Sequence, residues 1–500
     1  MARSVGRFFD RIIATQRPDI SVTHSTTARE MIREVWGVAE QARATAQWLQ
    51  DWHDTKMRRP EDLPYMPDRA PADIRRLRDL SLTPFARTIV RTTAQGLVVD
   101  GLRTRDGQAE APADRIWQRN ALDARQQPLV HGMLTHGLSY NLVLPGVGRL
   151  DGERTAVIRG KSALRMTAFY RDDFDEYPEF AIEVAELRNS DGTKSILIDL
   201  YDDVRTYSFV AEDEELKTLT ERTPPAVHGM EVCPVIRYAD LDLEGNAVGE
   251  IEPYIPLLRR LDQGAYDRLV VQRRGAFNTR TATGIKRPPT EEEADAVALQ
   301  LEAGDVLVSD STDTPFGSLP ATPIEGYNSS RGSDIKDLGA TSQTPTYRLT
   351  GLGDNIGADA IAAANEALEA KRRQYKRIIG ESHEMTMRLA GHAAGDEKIA
   401  SDFESRVHWE VEPSGSLQSL AQALATMVTQ TGMPAQMVWD KWPGWTREDT
   451  VRALDLIEQE VQEKMAQAAL MSAMGGGENG NDGAADKAGG GAQGSAGEPR

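Results

Sequence analysis

The chain has 500 residues, of which 27% are charged and 40% hydrophobic, and its net charge is −19. That length exceeds one ordinary core, so two or more domains are expected. No apolar run approaches the length that spans a membrane. The acidic balance excludes tight, extended binding of nucleic-acid phosphates, because Coulomb repulsion opposes it.

The start, "MARSVGRFFDRIIATQR", alternates Arg with Phe and Ile and reads as an N-terminal arm without a secretion signal. Residues 26–52 carry apolar side chains at three- and four-residue spacing and predict a helix. "RRPEDLPYMPDRAP" breaks it with four prolines. Helix is expected again over 72–97, then a strand and turn in "GLVVDGLRTRDG", helix in "ADRIWQRNALDARQQPLVHGMLTHG", and a strand in "SYNLVLPG". From 154 to 240 short strands dominate, among them "TAVIRG", "FAIEVAEL", "KSILIDLY", "RTYSFVA" and "VCPVIRY". This half reads as α+β. Cys233, the single cysteine, lies in the last of these strands and reads as a core thiol. One cysteine excludes an intrachain disulfide and any multi-cysteine metal site, and a reducing cytoplasm is its natural setting.

At 250 the pattern changes. Glu250 and Glu252 precede Pro253 and suit a helix start on dipole grounds. The helix that follows carries a narrow apolar stripe, Tyr254, Leu258, Leu261, Ala265 and Leu269, suited to packing on a neighbouring helix. Residues 278–330 form a compact insert rich in Gly and Pro, with a short acidic helix, "EEEADAVALQLE". "SSRGSDIKDLGATSQ" predicts another helix, and "TPTYRLTGLGDNIG" leads into a helical pattern from 358 to about 392, with Gly380 marking a bend. "RVHWEVEP" reads as a strand, and two or three helices follow to about 472. Residues 475–500 are Gly/Ala-rich with almost nothing to bury and are expected to be disordered.

Several constellations invite a chemical reading. Gly351, Gly353 and Gly357 are spaced one residue longer than a dinucleotide fingerprint, and the helix after them outruns a βαβ crossover. Gly160, Lys161 and Ser162 imitate the end of a phosphate-binding loop, but Thr155 stands where its first glycine belongs. A phosphate- or nucleotide-handling enzyme using those three residues is the enzymatic alternative. His131 and His136 are five residues apart, against the four that would place two zinc ligands on one helix face. "DDFDE" at 172–176 lacks the frame of a calcium loop and reads as a solvated turn. The run "KRRQYKR" at 371–377 reads as a solvated face or one side of intersubunit ion pairs. No catalytic set, cofactor site or metal site emerges.

The order of these elements resembles the portal proteins of long-tailed bacteriophages over about residues 30–470. "FARTIVRTTAQGLVVDGLR" resembles the family's early helix and strand. "IWQRNALDARQQPLVHGMLTHGLSYNLV" resembles its helix–helix–strand unit, with Trp117, Asn120, Leu122 and Asp123 in place. "EIEPYIPLLRRLDQGAYDRLVVQRRGAFNTRTATGI" is similar to the stem helix entering the clip. "DLGATSQTPTYRLTGLGDNIGADAIAAANEALEAKRRQYKRIIGESHEMTMRLA" is similar to the second stem helix, tunnel loop and long wing helix.

The resemblance implies an α+β portal fold, mainly helical with small sheets. Residues 1–250 would be wing, 251–277 stem, 278–330 clip, 331–343 second stem helix and 344–356 tunnel loop. Residues 357–472 would be the long wing helix and the wing and crown helices, and 473–500 a tail. It implies a non-enzymatic ring of twelve copies at one capsid vertex of the virion, assembled in the host cytoplasm. Double-stranded DNA passes through its channel during packaging and ejection, with no membrane role. The implied partners are the large terminase, the major capsid protein and scaffold, and a head-completion adaptor. A head–tail adaptor is a further alternative, but adaptors are shorter and lack the stem–loop–long-helix order. Thr346, Tyr347, Arg348, Gly351 and Gly353 are the DNA-facing loop residues it implies, and Asn355 and Gly357 would cap the helix start. Glu291, Glu292, Glu293 and Asp295 are the clip residues it offers for docking, a solvated helix face being their other reading.

Overall fold

The computed structural model describes residues 28–56, 58–103, 111–188, 192–213, 215–275, 280–282, 316–318, 322–351, 358–410, 417–439 and 441–475. The expectations for the N-terminal arm, the acidic helix with Glu291, Glu292, Glu293 and Asp295, the glycines Gly353 and Gly357, Asn355, and residues 476–500 lie outside these. Residues up to Gly444 form one compact unit, and the described residues from Trp445 onward belong to a second.

In the first unit, helix α1 (Ala28–Asp54) is followed by α2 (Ala72–Leu80) and α3 (Phe85–Ala94). The single helix expected over 72–97 is therefore two. Pro84 stands immediately before α3, where its missing N–H costs nothing, and the chain turns at Ser81, whose hydroxyl donates to Arg78 O (2.7 Å). Strand β1 (Val99–Arg103) leads to α4 (Ala111–Arg119) and α5 (Leu122–His136). Then come β2 (Leu138–Val147) and β3 (Arg154–Ser162), β4 (Met166–Phe169), β5 (Phe180–Arg188), β6 (Lys194–Tyr201), β7 (Arg205–Ala211), β8 (Leu219–Val227) and β9 (Val235–Ala239). These build two antiparallel sheets, ordered β3-β2-β9 and β4-β5-β6-β7-β8.

The larger sheet alternates as expected. Phe180, Ile182, Val184, Ile198 and Phe209 point to one face, which the first half of α1 covers with Ile32, Val35, Trp36 and Ala39. Ala181, Tyr201 and Met166 meet Tyr140, Leu142, Val235 and Cys233 of the other sheet. Cys233 is thus a buried thiol, and burial pushes its pKa upward.

Helix α6 (Ile255–Gly275) follows, then the short pair β10 (Arg280–Ala282) and β11 (Phe316–Ser318), α7 (Glu325–Thr341) and a one-turn helix, α8 (Thr346–Thr350). Helix α9 (Ala358–Ala394) is 37 residues, or about 55 Å at 1.5 Å per residue. After α10 (Glu397–Ala400), strand β12 (Arg406–Trp409) pairs with β1. Helices α11 (Leu417–Thr431) and α12 (Gln436–Trp439) close the first unit. The second unit is described by α13 (Arg447–Gly475).

The second half of α9 lies on the three-stranded sheet. A buried polar network joins them: Asn141 Nδ2 donates to the Tyr238 hydroxyl (2.9 Å), which also bonds Thr386 Oγ1 (2.9 Å) and His383 Nδ1 (3.1 Å). Gly380 belongs to the uninterrupted helix, and the Trp409 ring packs over it, so a Cβ there would lie 3.7 Å from Cζ2.

Burial holds the His383 and His136 imidazoles down to about 4. Below the ordinary value of about 6.5 the unfolded chain takes up protons that the folded chain refuses. Stability is therefore fully present above that value and is lost as pH falls toward 4, by about 1.4 kcal/mol per pH unit for each group. The guanidinium unfolding midpoint should fall over this window, and His383→Gln should shallow the fall. An unchanged slope in the variant would count against the assignment to His383.

Candidate functional site

The stretch from Thr344 to Gly351 sits where α7, α8 and α9 converge. Its conformation begins at Gly339, where a Cβ would lie 3.0 Å from Thr344 O and 2.7 Å from Thr346 Cγ2. Only a glycine lets the chain fold back so closely on α7. Thr344 N donates to Gly339 O (3.0 Å), and Pro345 then starts α8 at the position before its first turn. Gly351 ends that turn at φ +89° and ψ 162°, a conformation that L side chains rarely adopt.

Thr346, Tyr347, Arg348 and Gly351 are brought together on this single helical turn. The Tyr347 hydroxyl donates to Asn365 Oδ1 on α9 (2.7 Å). Arg348 Nη1 donates to Gln95 Oε1 just beyond α3 (3.3 Å), and its guanidinium lies 5.8 Å from the Tyr347 ring centroid. Thr346 and Gly351 are exposed, Tyr347 and Arg348 half-buried. Gly353 lies outside the described residues. The polar-aromatic run read as loop thus includes a helical turn, tethered at both of its long side chains.

Below this turn lies a cluster the sequence did not reveal. Lys371 Nζ donates to Glu250 Oε1 (2.7 Å) and to Ser342 O (2.7 Å), and the Tyr375 hydroxyl donates to Glu250 Oε2 (2.7 Å). The side chains of Lys371 and Glu250 are 9% and 4% exposed, so the pair is almost fully desolvated. Burial, then the Glu250 carboxylate, pushes the Tyr375 phenol upward. One turn of α9 therefore holds both the segment that enters α6 and the end of α7.

Beside it Arg372 is buried: Nη2 donates to Thr92 O (2.6 Å) and Nη1 to Glu369 Oε1 (2.7 Å). Gly96 makes room for it, since a Cβ there would meet the guanidinium at 2.5 Å. The reading of "KRRQYKR" as a solvated face is corrected for these residues, while Arg373 and Arg377 are exposed. The reading of Glu250 as a dipole partner is corrected too, because its carboxylate faces Lys371 and Tyr375. The legible signal was the four-residue spacing of Lys371 and Tyr375, which puts both on one helix face.

Helix α6 is fastened at two further carboxylates. Asp262 accepts from Arg58, from Thr83 N (2.8 Å) and from Thr83 Oγ1 (2.6 Å). Asp62 accepts from Trp48 Nε1 (2.7 Å) and Arg259 Nε (2.9 Å). Arg260 bridges α6 to α7 through Asp334 (2.9 Å) and Asp337 (3.2 Å).

Gly160, Lys161 and Ser162 lie in β3, paired with Asn141, Tyr140 and Ser139 of β2. Their backbone belongs to a ladder rather than to a loop curled around phosphate. Lys161 Nζ donates to both oxygens of Glu183 at 2.6 Å, so its charge is already neutralised. The enzymatic alternative is not favoured by this geometry.

Two helices in contact, a folded-back turn ending in a positive-φ glycine and a very long helix on a small sheet make up an α+β protein. The chain belongs to the phage portal protein family, its residues 39–469 matching the model described as "Phage portal protein, SPP1 Gp6-like". Proteins of this family are structural rather than enzymatic. No curated protein matches the chain. Solved structures that resemble it include a chain from the virion of a native gene transfer agent particle. The two share 12% identity at a TM-score of 0.39, over 79% of this chain and 94% of that one. A chain from the neck of such a particle, computed with C12 symmetry, shares 12% identity at a TM-score of 0.43, over 74% and 92%.

Proposed function

We propose that this portal protein works as a homo-oligomeric ring of twelve copies at one capsid vertex, and that DNA enters and leaves through its axis with no catalytic step by the ring. The observation that carries this reading is the family match across residues 39–469. Helices α6 and α7 are the stem, the insert between them is the clip, and residues 344–356 are the tunnel loop. Residues 1–250 and α9 form the wing, and the C-terminal helices complete wing and crown. The clip docks the terminase motor first and a head-completion adaptor later, with Glu291, Glu292, Glu293 and Asp295 as its contact face. The major capsid protein and scaffold surround the wing.

Physical chemistry supports a conduit. Twelve copies at −19 carry roughly −230 before counterions. An acidic wall does not grip a sliding duplex, while a few cations can centre it. Arg348 and Tyr347, with Thr346, Gly351 and Gly353, are the groups that meet DNA. Their tethers to Gln95 and Asn365 set the resting position of the turn. Helix α13 exposes Leu456, Val461, Met465 and Leu470, an apolar display suited to neighbouring copies.

The test is the double variant Tyr347→Ala/Arg348→Ala in phage assembly. Rings and heads should form in normal number, with less DNA retained per head. Heads filled to the wild-type level would remove these two residues from the channel.

A further inference from the structure

A concave cavity of about 1230 Å³ opens between the end of α1, helices α4 and α5, and the β2–β3 hairpin. It exceeds the usual 300–1,000 Å³ of a small-molecule pocket, roughly speaking. Its wall is basic on a strongly acidic chain: Arg119, Arg125, Arg149, Arg159 and Lys161 line it, against Asp151 alone. Arg119 is paired with Asp151, and Lys161 with Glu183. Arg125, Arg149 and Arg159 are exposed and make no ion pair among the described residues. On the inner wall, His136 is buried, and its Nδ1 has no hydrogen-bond partner among the described residues. The rim is apolar: Val147 is 67% exposed, and Leu150, at the hairpin tip, is fully exposed.

We propose that this groove docks an acidic, leucine-bearing segment of a second protein. Three uncompensated guanidiniums in a concavity focus a positive field and select carboxylates. The bare Val147 and Leu150 side chains favour a peptide over a phosphodiester strand, which brings no aliphatic groups to cover them. The groove shares no lining residue with the Thr344–Gly351 turn.

The experiment uses the full-length protein and three labelled probes: a short peptide of Glu-Glu-Leu repeats, its Gln-Gln-Leu counterpart, and a single-stranded oligothymidylate. The Glu-Glu-Leu peptide should bind best. Its affinity should fall by roughly tenfold or more in Arg125→Glu/Arg159→Glu. Leu150→Ser should weaken the peptide and leave the oligonucleotide unaffected. All three positions are exposed, so the fold is retained, as circular dichroism would verify. Equal peptide binding by wild type and the double variant would overturn the proposal. Tighter binding of the oligonucleotide, lost in the double variant, would overturn it in favour of nucleic acid. Loss of self-association in the double variant would overturn it in favour of a second copy of this chain.

Discussion

Lys371→Met should lower the unfolding free energy by about 3–5 kcal/mol, because it strands a buried carboxylate. Methionine fills most of the same volume, so the effect isolates charge rather than packing. Among the described residues Glu250 would keep only the Tyr375 hydroxyl, and Ser342 O would lose its Lys371 donor. The measurement is the guanidinium midpoint at unchanged slope. Adding Glu250→Gln should recover part of the loss, since a neutral amide is far cheaper to bury than a carboxylate. A double variant no more stable than Lys371→Met would show that the two groups are not coupled. Functionally, the same substitution loosens the point where α9 holds both helices of the proposed stem, so fewer closed rings are expected.

Asp262→Ala should cost a similar amount, about 3–5 kcal/mol, for the converse reason. It strands a cation: the side chains of Arg58 and Asp262 are each 1% exposed. Arg58 would retain its stacking over the Trp52 ring, at 3.9 Å from the centroid, and lose its only anionic partner among the described residues. Thr83 would lose the acceptor for both its N–H and its hydroxyl. Asp262→Asn keeps an acceptor for Thr83 and should be milder, by roughly 1–2 kcal/mol, the difference being the ionic part. Equal losses in the two variants would mean that the hydrogen bonds to Thr83, rather than the charge on Arg58, set the cost.

Local patterns carried most of the fold into view. The alternation of Phe180, Ile182 and Val184, and the spacing of Ile32, Val35, Trp36 and Ala39, each report one buried face. Strand β8 escaped because "LTERTPPAV" buries only Leu219. It is the edge of its sheet, where paired prolines are tolerated and no alternation is imposed. Strand β4 has four residues, too few for a period to show. The split between α2 and α3 was marked by Pro84, but the apolar spacing on both sides read straight through it.

The contacts of the Thr344–Gly351 segment could not be read from the sequence. Gly351 has a positive φ, which the glycine spacing alone did not specify. The partners of Tyr347, Arg348, Lys371 and Arg372 are Asn365, Gln95, Glu250 and Thr92, up to 280 residues away in sequence. A run with five basic residues, "KRRQYKR", reads as surface because charged side chains are rarely buried. Here two of them are inside, each matched to an acceptor that only the folded chain supplies.

Imaging the purified full-length protein by cryo-electron microscopy tests the central claim most directly. A portal conduit predicts closed rings with an open axis, α6 and α7 running along it, and the Thr346–Gly351 turn of every copy facing the opening. Isolated monomers at every salt concentration, or rings whose Thr346–Gly351 turns face outward, would contradict it.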